Sequence, residues 1–302
     1  MILLGINDSH DASACIVING KLIGAIQEER IKRKKCISSF PKEAIKYLLK
    51  EYKINLKDID QVCIATKQLL PLHLWNIYAD FKVDDWLKFE NEYYYEKIYN
   101  NKNIRLNNVF KNYKLKYKIG YNLKNIPFAT SGETSKNILK KINDLRLDTA
   151  SKFLKISKDK ISFHDHHMCH ALYGYYTNPF KNKNQVIVTC DGGGDGINTS
   201  IIHVKNYKFK IVRRINNNLL AVIYKNITLL LGMLPSRHAY KVMGLAPYSN
   251  QKIASKICEI FEKSFYLKNL TFIKNKKMKS TFFYFKKNLE SFRFDNIAGG
   301  IQ

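Results

Sequence analysis

Four of the eight histidines of this 302-residue chain fall within seven positions, in the stretch HDHHMCHALYGYY, residues 164–176. His166 and His170 are spaced i, i+4. On a helix that sets both imidazoles on one face, about one turn apart, where they can share one cation. Asp165 is placed to cap that helix, and His167, turned about 100° from His166, falls off the shared face. An HxxxH pair also occurs on ordinary surface helices, so its chemistry depends on its surroundings.

Three other stretches carry reactive side chains. In DGGGDG, residues 191–196, Gly192, Gly193 and Gly194 free the backbone to turn sharply and bring N–H groups close to an anion. Asp191 there is positioned to bind a metal or orient a polar substrate, although a plain glycine-rich hairpin reads the same way. HDAS, residues 10–13, puts His10 and Asp11 in a turn, where an aspartate can also simply cap its own backbone. YKVMGLAPY, residues 240–248, supplies Lys241 beside a proline-terminated helix and by chemistry alone says little more.

The elements that must position these residues follow from periodicity. The first thirty residues read as strand, turn, strand, turn, strand: ILLGI, DSHDAS, ACIVI, the two-residue hairpin signal NG, then KLIGAI. KEAIKYLLKEY has helical spacing after Pro41, and DQVCIAT reads as a further buried strand. Residues 72–135, rich in Tyr, Asn, Lys and Trp, form an expected helical or irregular insertion. SKNILKKINDLRLDTASKFLKI is helix-compatible. QVIVTCDGGGDGINTSIIHVKNYKFKIVRRI then repeats the opening strand–turn–strand pattern about 180 residues later, the mark of an internal duplication. The expected division is 1–160 for a first subdomain and 161–302 for the histidine helix and the start of a second.

Composition narrows the class. Apolar residues make up 45%, enough for a sizeable core, and no apolar run reaches the length of a membrane span. The N-terminus reads as a strand, with no basic leader. Six scattered cysteines without a CxxC pair point to reduced thiols in the cytoplasm. The formal charge of +26 could serve nucleic acid, but the lysines are spread along the chain among asparagines and isoleucines, as an AT-rich gene would give. An anionic small substrate fits the charge equally well.

Taken together, GINDSHDASACIVINGKLIGAIQEERIKRKKCISSFPKEAI, DHHMCHALYGYYTNPF, VIVTCDGGGDGINTS, YKVMGLAPY and the closing DNIAGGIQ resemble, in order, the NodU/CmcH type of O-carbamoyltransferase, whose members carbamoylate antibiotics and nodulation factors. The resemblance covers roughly residues 2–50, 160–250 and the last ten. It implies an α/β fold of the actin, hexokinase and chaperone-ATPase superfamily (ASKHA), similar to the tRNA threonylcarbamoyl transferase subunit, here the first half plus the start of the second. It implies a catalytic iron or another divalent metal on His166, His170 and Asp191, with His10 near the reacting carbamoyl group and Lys241 on the nucleotide side. A separate YrdC-like domain of the family makes carbamoyl-adenylate from carbamoyl phosphate and ATP; the carbamoyl group then passes to a hydroxyl of a sugar-like or secondary-metabolite acceptor.

Relatives continue through the rest of the second half and the YrdC-like domain, so this chain is expected to be a fragment, a split gene product or a degenerate copy, inactive alone. SRHA stands where relatives carry an acidic residue, and Ser249 where they carry glycine. Competing readings are a tRNA-modifying threonylcarbamoyl transferase, a metabolite kinase and a truncated binding partner. The 72–135 insertion is expected to shape the acceptor pocket, with Trp75, Trp86 and the tyrosines suited to stacking on a sugar ring.

Overall fold

Alternating apolar residues build a five-stranded sheet at the N-terminus. In β1 (Ile2–Asn7) Leu4 and Ile6 are buried on one face, as are Ala14 and Ile16 of β2 (Ser13–Ile18) and Val62 and Ile64 of β4 (Gln61–Ala65). With β3 (Lys21–Gln27) and β5 (Ile161–His164) the sheet has the order β3-β2-β1-β4-β5. The first three strands form an antiparallel meander; β4 and β5 run parallel to β1. The chain is therefore mixed α/β, seen here in a computed structural model that describes residues 1–116, 119–179, 184–235 and 237–302.

Two helices cover the apolar face. Lys42–Glu51 contributes Ala44, Ile45 and Leu48, and Lys136–Leu154, capped by Ser135, contributes Ile142, Ala150 and Leu154. The opposite face carries small side chains. Gly5, Ser13, Cys15, Cys63 and Ala65, with Met168, Cys169 and Leu172 of the helix His166–Thr177, line a cavity of about 720 Å³. Because β1, β4 and β5 are parallel, the segments leaving their carboxyl ends (the 8–12 turn, Thr66 and Asp165) emerge at the same end of the sheet. That end is where open α/β sheets place their ligands.

By its contacts the chain divides into Met1–Asp80 with Arg105–Tyr176, and Phe81–Ile104 with Thr177–Gln302. The segment expected to start the second subdomain at residue 161 enters as β5, which pairs with β4, so it groups with the first unit. The 72–135 insertion is shared: its middle, Phe81–Ile104, belongs to the second unit.

The second unit has its own meander, β6 (Asn184–Gly194), β7 (Ile197–Lys205) and β8 (Lys208–Ile215), all antiparallel. Its likeness to β1–β3 extends beyond strand count. The β2–β3 turn has φ of 48° and 80° at Asn19 and Gly20, and the β7–β8 turn 48° and 63° at Asn206 and Tyr207, the type I′ signature whose twist matches the flanking strands. Each third strand also bulges by one residue: Ile23 is skipped between the pairs Ile16–Gly24 and Val17–Leu22, and Val212 between Ile201–Arg213 and Ile202–Ile211. Among the described residues β6 pairs only with β7, whereas β1 has a strand on each side.

Helices Leu220–Leu230, Gln251–Glu262, Thr281–Leu289 and Phe294–Ile301 pack Ile223, Ile227, Ile257, Phe285 and Ile297 into a second core. The last helix starts at Phe294, two residues earlier than a cap at Asp295, the first residue of DNIAGG, would set it. Arg293 occupies its cap position, and the Asp295 carboxylate accepts from the N–H of Asn296 and pairs with Arg293 at 3.2 Å. In the 81–104 segment the helix Val83–Lys88 passes into a π-helix, Phe89–Tyr95. Among the described residues no helix is long and apolar enough to cross a membrane.

Candidate metal centre

The histidine helix begins where β5 ends. Asp165 caps it as its sequence position predicts: Oδ1 accepts from the N–H of Met168 at 2.9 Å, and its carbonyl from Cys169 at 2.9 Å. One helical turn then brings His166 and His170 together, Nε2 to Nε2 3.1 Å, with rings nearly perpendicular at 83°. His167 is buried, its ring edge-on to those of His166 at 5.4 Å and His170 at 6.3 Å. Two ring nitrogens at that separation repel through their lone pairs unless a proton or a cation lies between them. The Nδ1 of His166 meets Thr66 Oγ1 at 2.9 Å. With the proton assigned to Nδ1 and donated to that hydroxyl, Nε2 is the unprotonated nitrogen that a metal ligand needs. Two converging imidazoles fit a divalent first-row ion such as iron or zinc.

Thr66 is held from behind. It follows β4, is buried, and has a φ of 72°, a conformation that a β-branched residue rarely adopts. Its carbonyl accepts from Arg146 Nη2 at 2.9 Å, and the carbonyl of Ala65 from the same nitrogen at 3.1 Å. Arg146, with its side chain fully buried, forks onto the equally buried Asp8 at 2.7 and 2.9 Å. The Tyr121 hydroxyl donates to the same carboxylate at 2.5 Å. Burial first, and then the Asp8 charge, hold that phenol far above its ordinary pKa. Phe163 packs beneath the guanidinium at 4.5 Å.

His10 lies two residues beyond Asp8, at the tip of the same turn. Its Nδ1 meets the Asp11 carboxylate at 2.9 Å, a bond that lowers the Asp11 pKa against the opposing effect of burial. Asn7 Nδ2 donates to the carbonyls of His10 and Asp11, which shapes the turn. The His10 ring stacks on His73 at 5.5 Å and meets Tyr78 at 5.1 Å, and His73 Nδ1 bonds Ser9 Oγ at 3.0 Å. Sequence reading found His10 but not His73, Thr66, Asp8 or Arg146.

The remaining predicted residues sit in the second unit. Asp191, Gly192 and Gly193 bulge together opposite the single residue Asn198, between the pairs Cys190–Thr199 and Gly194–Ile197. The N–H of Gly192 donates to the Asp191 carboxylate at 2.5 Å, and Gly194 is a paired strand residue. Lys241 is exposed on the helix Ala239–Leu245. Trp86 does not present the open ring face expected of it, and Trp75 is half-buried. Trp86 is buried between Phe81 and Phe89 with Lys225 over its ring, and Trp75 packs edge-on against Tyr113 and Phe128 while its N–H donates to the carbonyls of Ile126 and Pro127.

A mixed sheet whose carboxyl end carries paired imidazoles and a histidine turn defines an α/β domain with a candidate metal site. The chain belongs to the carbamoyltransferase N-terminus family, whose sequence profile matches residues 2–298. It is 26% identical to an uncharacterized protein of Synechocystis sp. over 83% of this chain and 35% of that protein. It is also 26% identical to an uncharacterized protein of Methanocaldococcus jannaschii (67% and 35%) and 25% identical to the nodulation protein NolNO of Sinorhizobium fredii (80% and 28%). The chain spans about a third of the length of these curated relatives.

Proposed function

We propose that this chain is the N-terminal portion of an ASKHA-type O-carbamoyltransferase that moves a carbamoyl group from carbamoyl-adenylate to a hydroxyl of a sugar-derived acceptor. The observation that carries the reading is the convergence of His166 and His170 in a chain of this family. The repeated meander, with its matching turns and bulges, supports the duplicated fold, and similarity to a nodulation protein supports the acceptor class.

His166 and His170 would hold a divalent ion, iron in the first instance, with Asp191 as the further ligand. When bound, such an ion supplies a Lewis acid for a carbonyl or phosphoryl oxygen. His10, held by Asp11 and stacked on His73, would take a proton from the attacking hydroxyl as a general base. Oxygen attack forms the carbamate C–O bond, the bond from the carbamoyl carbon to AMP breaks, and AMP leaves with the electron pair. Lys241 would meet the anionic nucleotide side, and the glycine bulge would lie close to it. Carbamoyl phosphate and ATP are the substrates from which a YrdC-like domain makes the adenylate.

The test supplies the purified, iron-loaded chain with carbamoyl phosphate, ATP, a separately produced polypeptide carrying the rest of a relative's second half and its YrdC-like domain, and a panel of amino-sugar and oligosaccharide acceptors. Mass spectrometry then looks for a carbamoyl adduct. The expected result is no pyrophosphate from this chain alone and an adduct on a sugar hydroxyl only in the full mixture. Carbamoylation of tRNA, or pyrophosphate release by the chain alone, overturns the assignment.

A further inference from the structure

We propose that Thr66 is the positioning residue that aims the Nε2 lone pair of His166 at a metal ion, and that the buried Asp8–Arg146 pair locks Thr66 in the conformation this requires. The proposal rests on the metal-binding reading of His166 and His170 and deepens it.

Three independent features meet at Thr66. The first is strain. A φ of 72° on a β-branched residue is strained backbone, and persists only where the surroundings over-determine it. Asn or Gly would satisfy a plain turn at lower cost. The second is the hydroxyl, which in this conformation is 2.9 Å from His166 Nδ1, a contact 100 positions apart in sequence that no local turn requires. A ligating imidazole needs such a partner on its other nitrogen to fix its tautomer and ring orientation.

The third is the clamp. Arg146 Nη2 grips the carbonyls of Ala65 and Thr66, so the peptide between them cannot rotate without breaking one of two charge-assisted bonds. The guanidinium is itself fixed by both carboxylate oxygens of Asp8, by Asn143 Oδ1 at 3.1 Å and by the Phe163 ring. Asp8 opens the turn that carries His10. One buried ion pair thus seats both the proton-handling turn and the threonine that orients the metal ligand.

The experiment uses the 302-residue chain and two single substitutions. Thr66→Val keeps the β-branch and its backbone cost but removes the hydroxyl; Thr66→Ser keeps the hydroxyl. Cobalt(II) affinity is read from the visible absorption of the bound ion, and the protonated nitrogen of His166 from ¹⁵N NMR of the metal-free chain. Thr66→Val should weaken cobalt binding by about 10–100-fold, the usual consequence of losing a ligand's outer partner. It should also displace the His166 Nδ1 and Nε2 resonances, with melting temperature near wild type. Thr66→Ser should restore both. Arg146→Lys, which keeps the charge but loses the fork, should lower affinity in the same direction.

Wild-type affinity in Thr66→Val overturns the positioning role, and wild-type affinity in a folded Arg146→Lys overturns the clamp. A wild-type chain that binds no cobalt defeats the metal reading instead. In that case the NMR arm still decides the present inference, because His166 resonances unmoved by Thr66→Val would refute it.

Discussion

Cys15 Sγ occupies the space that a side chain on Gly5 would need: a Cβ built on Gly5 lies 2.5 Å from that sulfur. The two residues face each other across β1 and β2, and Cys63 faces Gly5 from β4. A glycine in the middle of a strand here lets two thiols sit beside it on the cavity-lining face. Gly5→Ala should destabilise the chain by about 1–3 kcal/mol through overpacking. Adding Cys15→Ala should recover part of that loss, as a double-mutant cycle in urea would measure. Equal destabilisation in the presence and absence of Cys15 would mean the strand, not the thiol, resents the methyl group.

Arg146→Met leaves Asp8 as an uncompensated buried carboxylate and should cost about 3–5 kcal/mol. Replacing both partners by apolar residues, Arg146→Met with Asp8→Leu, should cost less than the single change, because no charge is stranded. The denaturation midpoints of the three proteins give the comparison.

How much of this was legible in the sequence differs from element to element. The meanders were, because alternation and the NG turn are local signals, whereas the turn at Asn206 and Tyr207 carries no such signature. So was the histidine helix with its Asp165 cap. The Asp8–Arg146 pair was not, since its partners lie 138 residues apart. Yet Arg146 left a trace: with Ile142, Ala150 and Leu154 it lies on the buried stripe of its helix at every fourth position. An arginine inside an apolar stripe has to find a buried acid. The 72–135 region was readable only as composition. Its aromatic residues looked like sugar platforms but include core packing such as Trp86, because periodicity cannot tell a buried ring from a presented one.

Burial raises the Glu90 carboxyl from its ordinary 4.5 to about 7, against the opposing charge of Lys225. The folded chain therefore holds this proton more tightly than the unfolded chain. Its contribution to stability is fully present below about pH 4.5 and is lost as pH rises through about 7. Glu90→Gln should raise the melting temperature at about pH 8 and leave it nearly unchanged at about pH 4. A gain of the same size at both pH values would show that the carboxyl does not titrate in this window.

Metal retention should follow the pair and not the cluster. His166→Ala with His170→Ala should abolish binding of iron or cobalt. His164→Ala, at a ring that bonds Ser162 instead, should leave stoichiometry intact. His167→Ala should lower stability, since its ring is buried, without removing the ion. Metal analysis after gel filtration separates these outcomes, and retention by the double variant would exclude the pair as ligands.

The two type I′ turns have a kinetic consequence. Each meander closes loops of only a few residues and can form early. The parallel pairs β1–β4 and β4–β5 must wait for far longer loops to close, at a higher entropic barrier. The Asp8–Arg146 bridge spans still more chain, so Thr66 reaches its left-handed conformation only after the whole first unit has assembled. In refolding, strand signals should return first and cobalt colour last. Full cobalt affinity would then report a completed first unit, with weaker binding in forms where Thr66 is not yet seated.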